Sequence, residues 1–150
     1  MDFSYWVWIG TIYLIILTYK DIKDNCLVDE RHNWFMSGLT FSMFFLFKNP
    51  FWYILGIILF VVLFNILLSR TKVLGEADHQ TLTWVIVGFA LISQEAIIKF
   101  LMVFIGVTIA YFIAKKISSK VLSFDFKEAT PFYPALLVSF VISVSILGFW

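Results

Sequence analysis

Apolar residues fall in long runs along this chain: Phe3–Tyr19, Trp34–Phe47, Phe51–Leu68, Leu82–Ser93, Ile97–Ala114 and Phe132–Trp150. A helix that crosses a bilayer needs roughly 20 such residues, with a working range of roughly 17–25. The first, third, fifth and sixth runs meet that directly. The second has 14 residues and the fourth 12, so each must borrow polar neighbours to cross. The pattern predicts an all-α polytopic membrane protein with six transmembrane helices; four spans with two re-entrant segments is the alternative. The Asn49-Pro50 pair predicts a tight turn between the second and third helices. No internal repeat, low-complexity stretch or Gly/Ser linker interrupts the pattern, so residues 1–150 read as one membrane-embedded domain.

Composition sharpens this picture. The chain is 61% hydrophobic, 20% aromatic and 14% charged, against about 25% charged in an ordinary soluble domain. Its mean hydropathy is +0.93. A soluble domain of 150 residues could not hide that much apolar surface behind so few charges. One cysteine, Cys26, excludes an internally bridged secreted scaffold. A net charge of +1 is too balanced for a nucleic-acid binder.

The basic residues set the sidedness. With six spans, Lys20, Lys23, Arg31, Arg70, Lys72, Lys115, Lys116, Lys120 and Lys127 all fall in loops on one side, and only Lys48 and Lys99 on the other. Nine against two is a strong positive-inside asymmetry. It predicts a multi-pass protein of the cell membrane with both termini outside and three basic loops in the cytoplasm. Four spans give no comparable split. Only Asp2 precedes the first run, and no small-residue cleavage site follows it, so that run reads as a membrane helix rather than a signal peptide.

Acidic groups beside spanning segments are costly and therefore informative. Asp2 and Glu95 lie at outside boundaries, and Asp125 and Glu128 in the last cytoplasmic loop, where all four read as solvated charges. Two clusters stand apart: Asp21, Asp24, Asp29 and Glu30 after the first helix, and Glu76 and Asp78 before the fourth. Asp21 directly follows a continuous apolar run, and Asp78 opens one behind Gly75. Both fall at cytoplasmic helix ends, so two carboxylates from different helices can meet at one depth. Close carboxylates cannot both ionise cheaply and share a proton, titrating as a unit. One then acts as base on a water while the other donates a proton to the carbonyl, which is aspartic protease chemistry. Gly75, three residues before Asp78, lets the backbone bend and a substrate strand approach.

These residues resemble those of the prepilin and preflagellin peptidases, membrane-embedded aspartic proteases with a GxGD-type motif. Asp21 to Asp29 (Asp-Ile-Lys-Asp-Asn-Cys-Leu-Val-Asp) is similar to the family's first motif, in the register that makes Asp21 the first catalytic aspartate and leaves Asp24 variable. Gly75-Glu76-Ala77-Asp78 resembles the GxGD block, with Asp78 as the second. Thr130-Pro131-Phe132-Tyr133-Pro134-Ala135-Leu136 is similar to the proline-rich start of the family's last helix, and Pro134-Ala135-Leu136 also resembles the Pro-Ala-Leu motif of presenilin-type proteases. Val28 stands where the family usually has proline, Ala77 replaces the motif's second glycine, and Gln80 stands where a lysine commonly follows the second aspartate. The resemblance implies six helices and a peptidase that removes the short basic leader of a pilin-like or archaellin-like precursor at the cytoplasmic membrane face. It implies no cofactor. Without the cysteine-pair insertion of the larger bacterial relatives, it implies no methyltransferase activity.

Other residues read more plainly. His32 and His79 lack the close spacing of a metal site and read as boundary polar residues. Cys26 has no evident base partner for nucleophilic work. Trp6, Trp8, Trp34, Trp84 and Trp150 read as an interfacial belt and lipid-facing packing, and Gly106 with Ala110 as a small-residue pair that packs helices. The acidic patch at Asp24, Asp29 and Glu30 suits a basic leader. Two rival functions are a non-catalytic membrane scaffold related to the peptidases and a small cation-coupled transporter. Against the latter, no acid is expected at the bilayer midplane. Partners are thus a pilin-like precursor and the lipid bilayer, with no nucleic acid and no metal.

Overall fold

The computed structural model describes residues 3–23, 37–38, 40–41, 43, 49–71, 76–121 and 132–149. They form α1 (Phe3–Lys23), α2 (Phe51–Thr71), α3 (Glu76–Ile92), α4 (Gln94–Val121) and α5 (Tyr133–Leu147). The described positions between 37 and 43 also have helical backbone. Among the described residues there is no strand, as the sequence predicts.

Local chemistry sets the helix ends. The Pro50 carbonyl accepts the amides of Tyr53 at 2.9 Å and Ile54 at 3.2 Å, so the expected turn residue is the start of α2. Ser93 alone separates α3 from α4, and its Oγ accepts the Ala96 N–H at 3.0 Å, an N-cap that lets one helix end and the next begin within a residue. Lys99 and Glu95 pair at 2.7 Å one turn into α4. Gly148 closes α5 at φ +73°, a left-handed conformation that glycine adopts without penalty. Its amide bonds Ser145 O at 3.1 Å while Phe149 N bonds Val144 O at 3.2 Å, the paired pattern of a Schellman closure.

Helix α5 packs against α1 and α4, and α3 packs against α2 and α4 with a smaller contact to α5. The rings of Phe3 and Phe149 lie 4.7 Å apart, while Asp21 meets Tyr133, so α1 and α5 are antiparallel. Thr81 meets Tyr133 and Phe89 meets Phe140, so α3 and α5 run the same way. The Phe104 ring lies 6.0 Å from that of Phe132, at the start of α5. Helix α4 continues from there to Val121, a further ~25 Å at the helical rise per residue.

The core is aromatic. Trp6 lies against Trp84, Phe89 and Phe140, with ring centroids 6.1, 5.9 and 5.4 Å away. Phe89 stacks on Phe100 at 4.7 Å. Trp6 and Trp84 are each 1% exposed. This corrects the belt reading for both: they are core residues, because Gly88 leaves room for the Trp6 indole and Thr40 Oγ1 accepts its N–H at 3.2 Å. Trp8 is exposed, and Trp34 and Trp150 lie outside the described residues. The small-residue reading of Gly106 and Ala110 is also corrected. Both face outward, and among the described residues nothing stands within 4 Å of the place a Gly106 Cβ would take. The close approaches are made by Gly88 and Gly10 instead.

Polar cross-links accompany the apolar packing. Asn65 Nδ2 donates to Thr83 Oγ1 at 3.1 Å, joining α2 to α3, and Tyr53 donates its hydroxyl proton to Ala90 O. Ser139 and Ser143, both fully buried, bond carbonyls of their own helix at 2.7 Å. The outward faces of α2 and α4 are strongly apolar, with Trp52, Leu63, Leu67, Met102, Ile105 and Ile117 all exposed. Among the described residues, one segment, Gln94–Ile117 of α4, has the length (24 residues) and hydropathy (2.3) of a membrane crossing. Phe51–Leu67 and Tyr133–Leu147 are apolar but shorter, and α1 carries Lys20, Asp21 and Lys23 in its last turn.

Candidate functional site

Asp21 sits in the last turn of α1, where the apolar run gives way to charge, and it is 3% exposed. Its Oδ2 accepts the backbone N–H of Tyr133 at 3.2 Å. Tyr133 is the first residue of α5, and the first amides of any helix have no acceptor within it. The local sequence supplies none: Phe132, the N-cap, makes no side-chain cap bond, and Pro134 has no N–H. Asp21 does this work from 112 residues away, and a carboxylate at a helix N-terminus is favoured by the helix dipole as well.

The Tyr133 side chain turns to another helix. Its hydroxyl oxygen lies 3.0 Å from Thr81 Oγ1, and both residues are fully buried. Thr81 follows Asp78 by three residues on α3, so the two share a face of that helix. Asp78 is half-buried in the first turn of α3. Tyr133 therefore joins the end of α1 that carries Asp21 to the first turns of α3 that carry Asp78. Neither Tyr133 nor Thr81 stands out in the sequence as functional. The available signal was a tyrosine flanked closely by prolines at the start of an apolar run.

Of the remaining predicted site residues, Ala77 lies in the first turn of α3 and Pro134 at the second position of α5, half-buried. Gly75 and Pro131 lie outside the described residues, as do Asp24, Cys26, Asp29, Glu30 and His32. His79 is buried, at 8% exposure, rather than a solvated boundary residue. Among the described residues, no group of three or more His, Cys, Asp or Glu side chains gathers as a metal site.

Further polar atoms of α1 and α3 are buried near the acids and deeper in the bundle. Tyr13 OH and Thr18 Oγ1 on α1, and Gln80 Oε1 and Trp84 Nε1 on α3, are buried without a hydrogen-bond partner among the described residues. The Tyr13 and Trp84 rings meet edge-on at 6.5 Å. Buried groups of this kind are costly unless water or a ligand meets them. A separate cavity of about 460 Å³ lies between α2, α3 and the residues near 40, lined by Thr40, Phe41, Ile57, Val61, Trp84 and Val87 among others. It is almost wholly apolar and holds neither carboxylate. Compared with known protein families, with curated proteins and with solved structures, the chain matches none.

Proposed function

We propose that this chain is a membrane-embedded aspartic endopeptidase of the prepilin peptidase type, with Asp21 and Asp78 as its catalytic carboxylates. The observation that carries the reading is the bridge through Tyr133, whose amide holds Asp21 and whose hydroxyl meets Thr81 one turn beyond Asp78. It supports a meeting of two acids that stand 57 positions apart in the chain. Sharing one proton, the pair divides the work. The ionised carboxylate takes a proton from water as the oxygen attacks the scissile carbonyl, and the protonated one donates to the carbonyl oxygen. Collapse of the resulting diol returns a proton to the departing amine and breaks the C–N bond.

The setting in this proposal is a six-helix protein in the cell membrane, with both termini outside and the acids toward the cytoplasmic side. The apolar outward faces of α2 and α4 and the basic-loop asymmetry support it. The substrate is a pilin-like precursor with a short basic leader ahead of an apolar helix.

Cleavage of such a precursor in membranes tests the reading. Asp21→Asn and Asp78→Asn each abolish the leader shift, while Asp24→Asn retains it. One observation favours a second reading, a non-catalytic scaffold: Asp21 is already engaged as the cap of α5. In that case wild type cleaves no member of a precursor panel, and Asp21→Asn, which keeps an acceptor oxygen for the Tyr133 amide, is silent in every assay.

A further inference from the structure

We propose that Tyr133 is the positioning residue of this site, holding the carboxylate of α1 and the acid-bearing turn of α3 in one register. The inference rests on the reading of Asp21 and Asp78 as a catalytic pair. Tyr133 is fully buried and has two separate polar handles pointed at two helices. The amide fixes Asp21 at 3.2 Å, and the hydroxyl fixes Thr81 at 3.0 Å. Its ring is braced by that of Phe132, 5.7 Å away and near-perpendicular, and Phe132 is braced in turn by Phe104 of α4. The backbones of α1 and α3 make little contact with each other, α1 packing mainly on α5 and α3 on α2 and α4, so a side chain of α5 is well placed to tie them. Tyr133 need not touch substrate: it acts through the placement of Asp21 and Asp78. Reacting groups misplaced by about 1 Å lose rate on the order of a hundredfold, so a loosened tie is expressed in turnover and not in binding.

The variants Tyr133→Phe and Thr81→Val each delete one hydroxyl, keep the side-chain volume, and leave the amide bond to Asp21 in place. On precursor cleavage, kcat falls about tenfold or more in each, with KM unchanged. The double variant is no slower than either single variant, since both cut one link, and Thr81→Ser restores turnover. Amide deuterium exchange over residues 78–84 speeds up in both single variants, while exchange at residues 86–90 keeps its wild-type rate. Unchanged kcat in Tyr133→Phe with active wild type overturns the inference and leaves the peptidase reading intact, and so does a rise in KM alone. A wild type that cleaves no precursor overturns the peptidase reading and with it the catalytic role of Tyr133. In that event unchanged exchange over 78–84 also overturns the tie itself.

Discussion

Replacing Gly88 by alanine tests the aromatic core most sharply. An added Cβ would stand 1.9, 2.3 and 2.6 Å from Cζ2, Cη2 and Cε2 of Trp6, where carbon atoms need about 3.5 Å or more. The indole must therefore retreat by about 1.5 Å. It has no room to do so, because Trp84, Phe89 and Phe140 surround it, and a retreat stretches its bond to Thr40. Overpacking of this kind costs about 1–3 kcal/mol, and the weakened hydrogen bond roughly a further 1 kcal/mol. Against this, alanine is favoured over glycine within a helix by about 1 kcal/mol. The balance is a loss of about 2 kcal/mol. Gly106→Ala is the control of opposite sign: with open space around its Cβ, only the helical preference operates and stability rises by about 0.5–1 kcal/mol. Reversible unfolding in mixed micelles, followed by tryptophan fluorescence, measures both. A Gly88→Ala protein as stable as Gly106→Ala would refute the packing argument, since no rigid ring could then stand where Trp6 does.

Other perturbations probe the remaining contacts. Asp21→Ala orphans the Tyr133 amide and costs about 1–3 kcal/mol in the same unfolding assay, whereas Asp21→Asn keeps an acceptor oxygen and stays close to wild type; equal stabilities would count against the cap. Asn65→Ala severs the tie between α2 and α3 and lowers stability by about 1 kcal/mol, as expected of polar bonds between apolar helices. Gly148→Ala forces a side chain into the left-handed region at φ +73° and loses about 1 kcal/mol, read as fraying of the last turn of α5 in amide exchange.

How far the sequence could be read depends on which kind of information each feature carries. The apolar run of α3 starts only at Leu82, but Asp78 behind Gly75 reads as the opening of that helix, and the helix does begin there, at Glu76; its first turns are polar, so hydropathy alone does not mark them. For the same reason α4 runs past its apolar segment through Lys115 and Lys116 to Val121. Asp21 was legible, since an acid where an apolar run ends is conspicuous. Its partner at Tyr133 was not, because the bond uses a backbone amide that any residue would offer. Trp6 and Trp84 were misjudged because a tryptophan in an apolar stretch suits a lipid boundary and a core equally. What decides between them is a glycine 82 positions later in the chain, at Gly88. Gly106 and Ala110 show the converse: small residues at helical spacing permit close packing, but only the neighbouring helices determine whether any arrives.

In the proposed bilayer setting, the overhang of α4 governs how the acids are reached. Its apolar segment runs on from Phe104, which lies against the start of α5, to Ile117. At the helical rise, Asp21 stands about 27 Å along α1 from Phe3, toward the far side of a hydrocarbon core of about 30 Å. The overhang then lies on the cytoplasmic side of the acids, and the peptide bond to be cut and the water that cuts it approach along it. The thickness of the surrounding lipid sets the length of that approach. A longer acyl chain buries the aspartates further, so the rate of such a protease answers to the membrane it lives in as well as to its substrate.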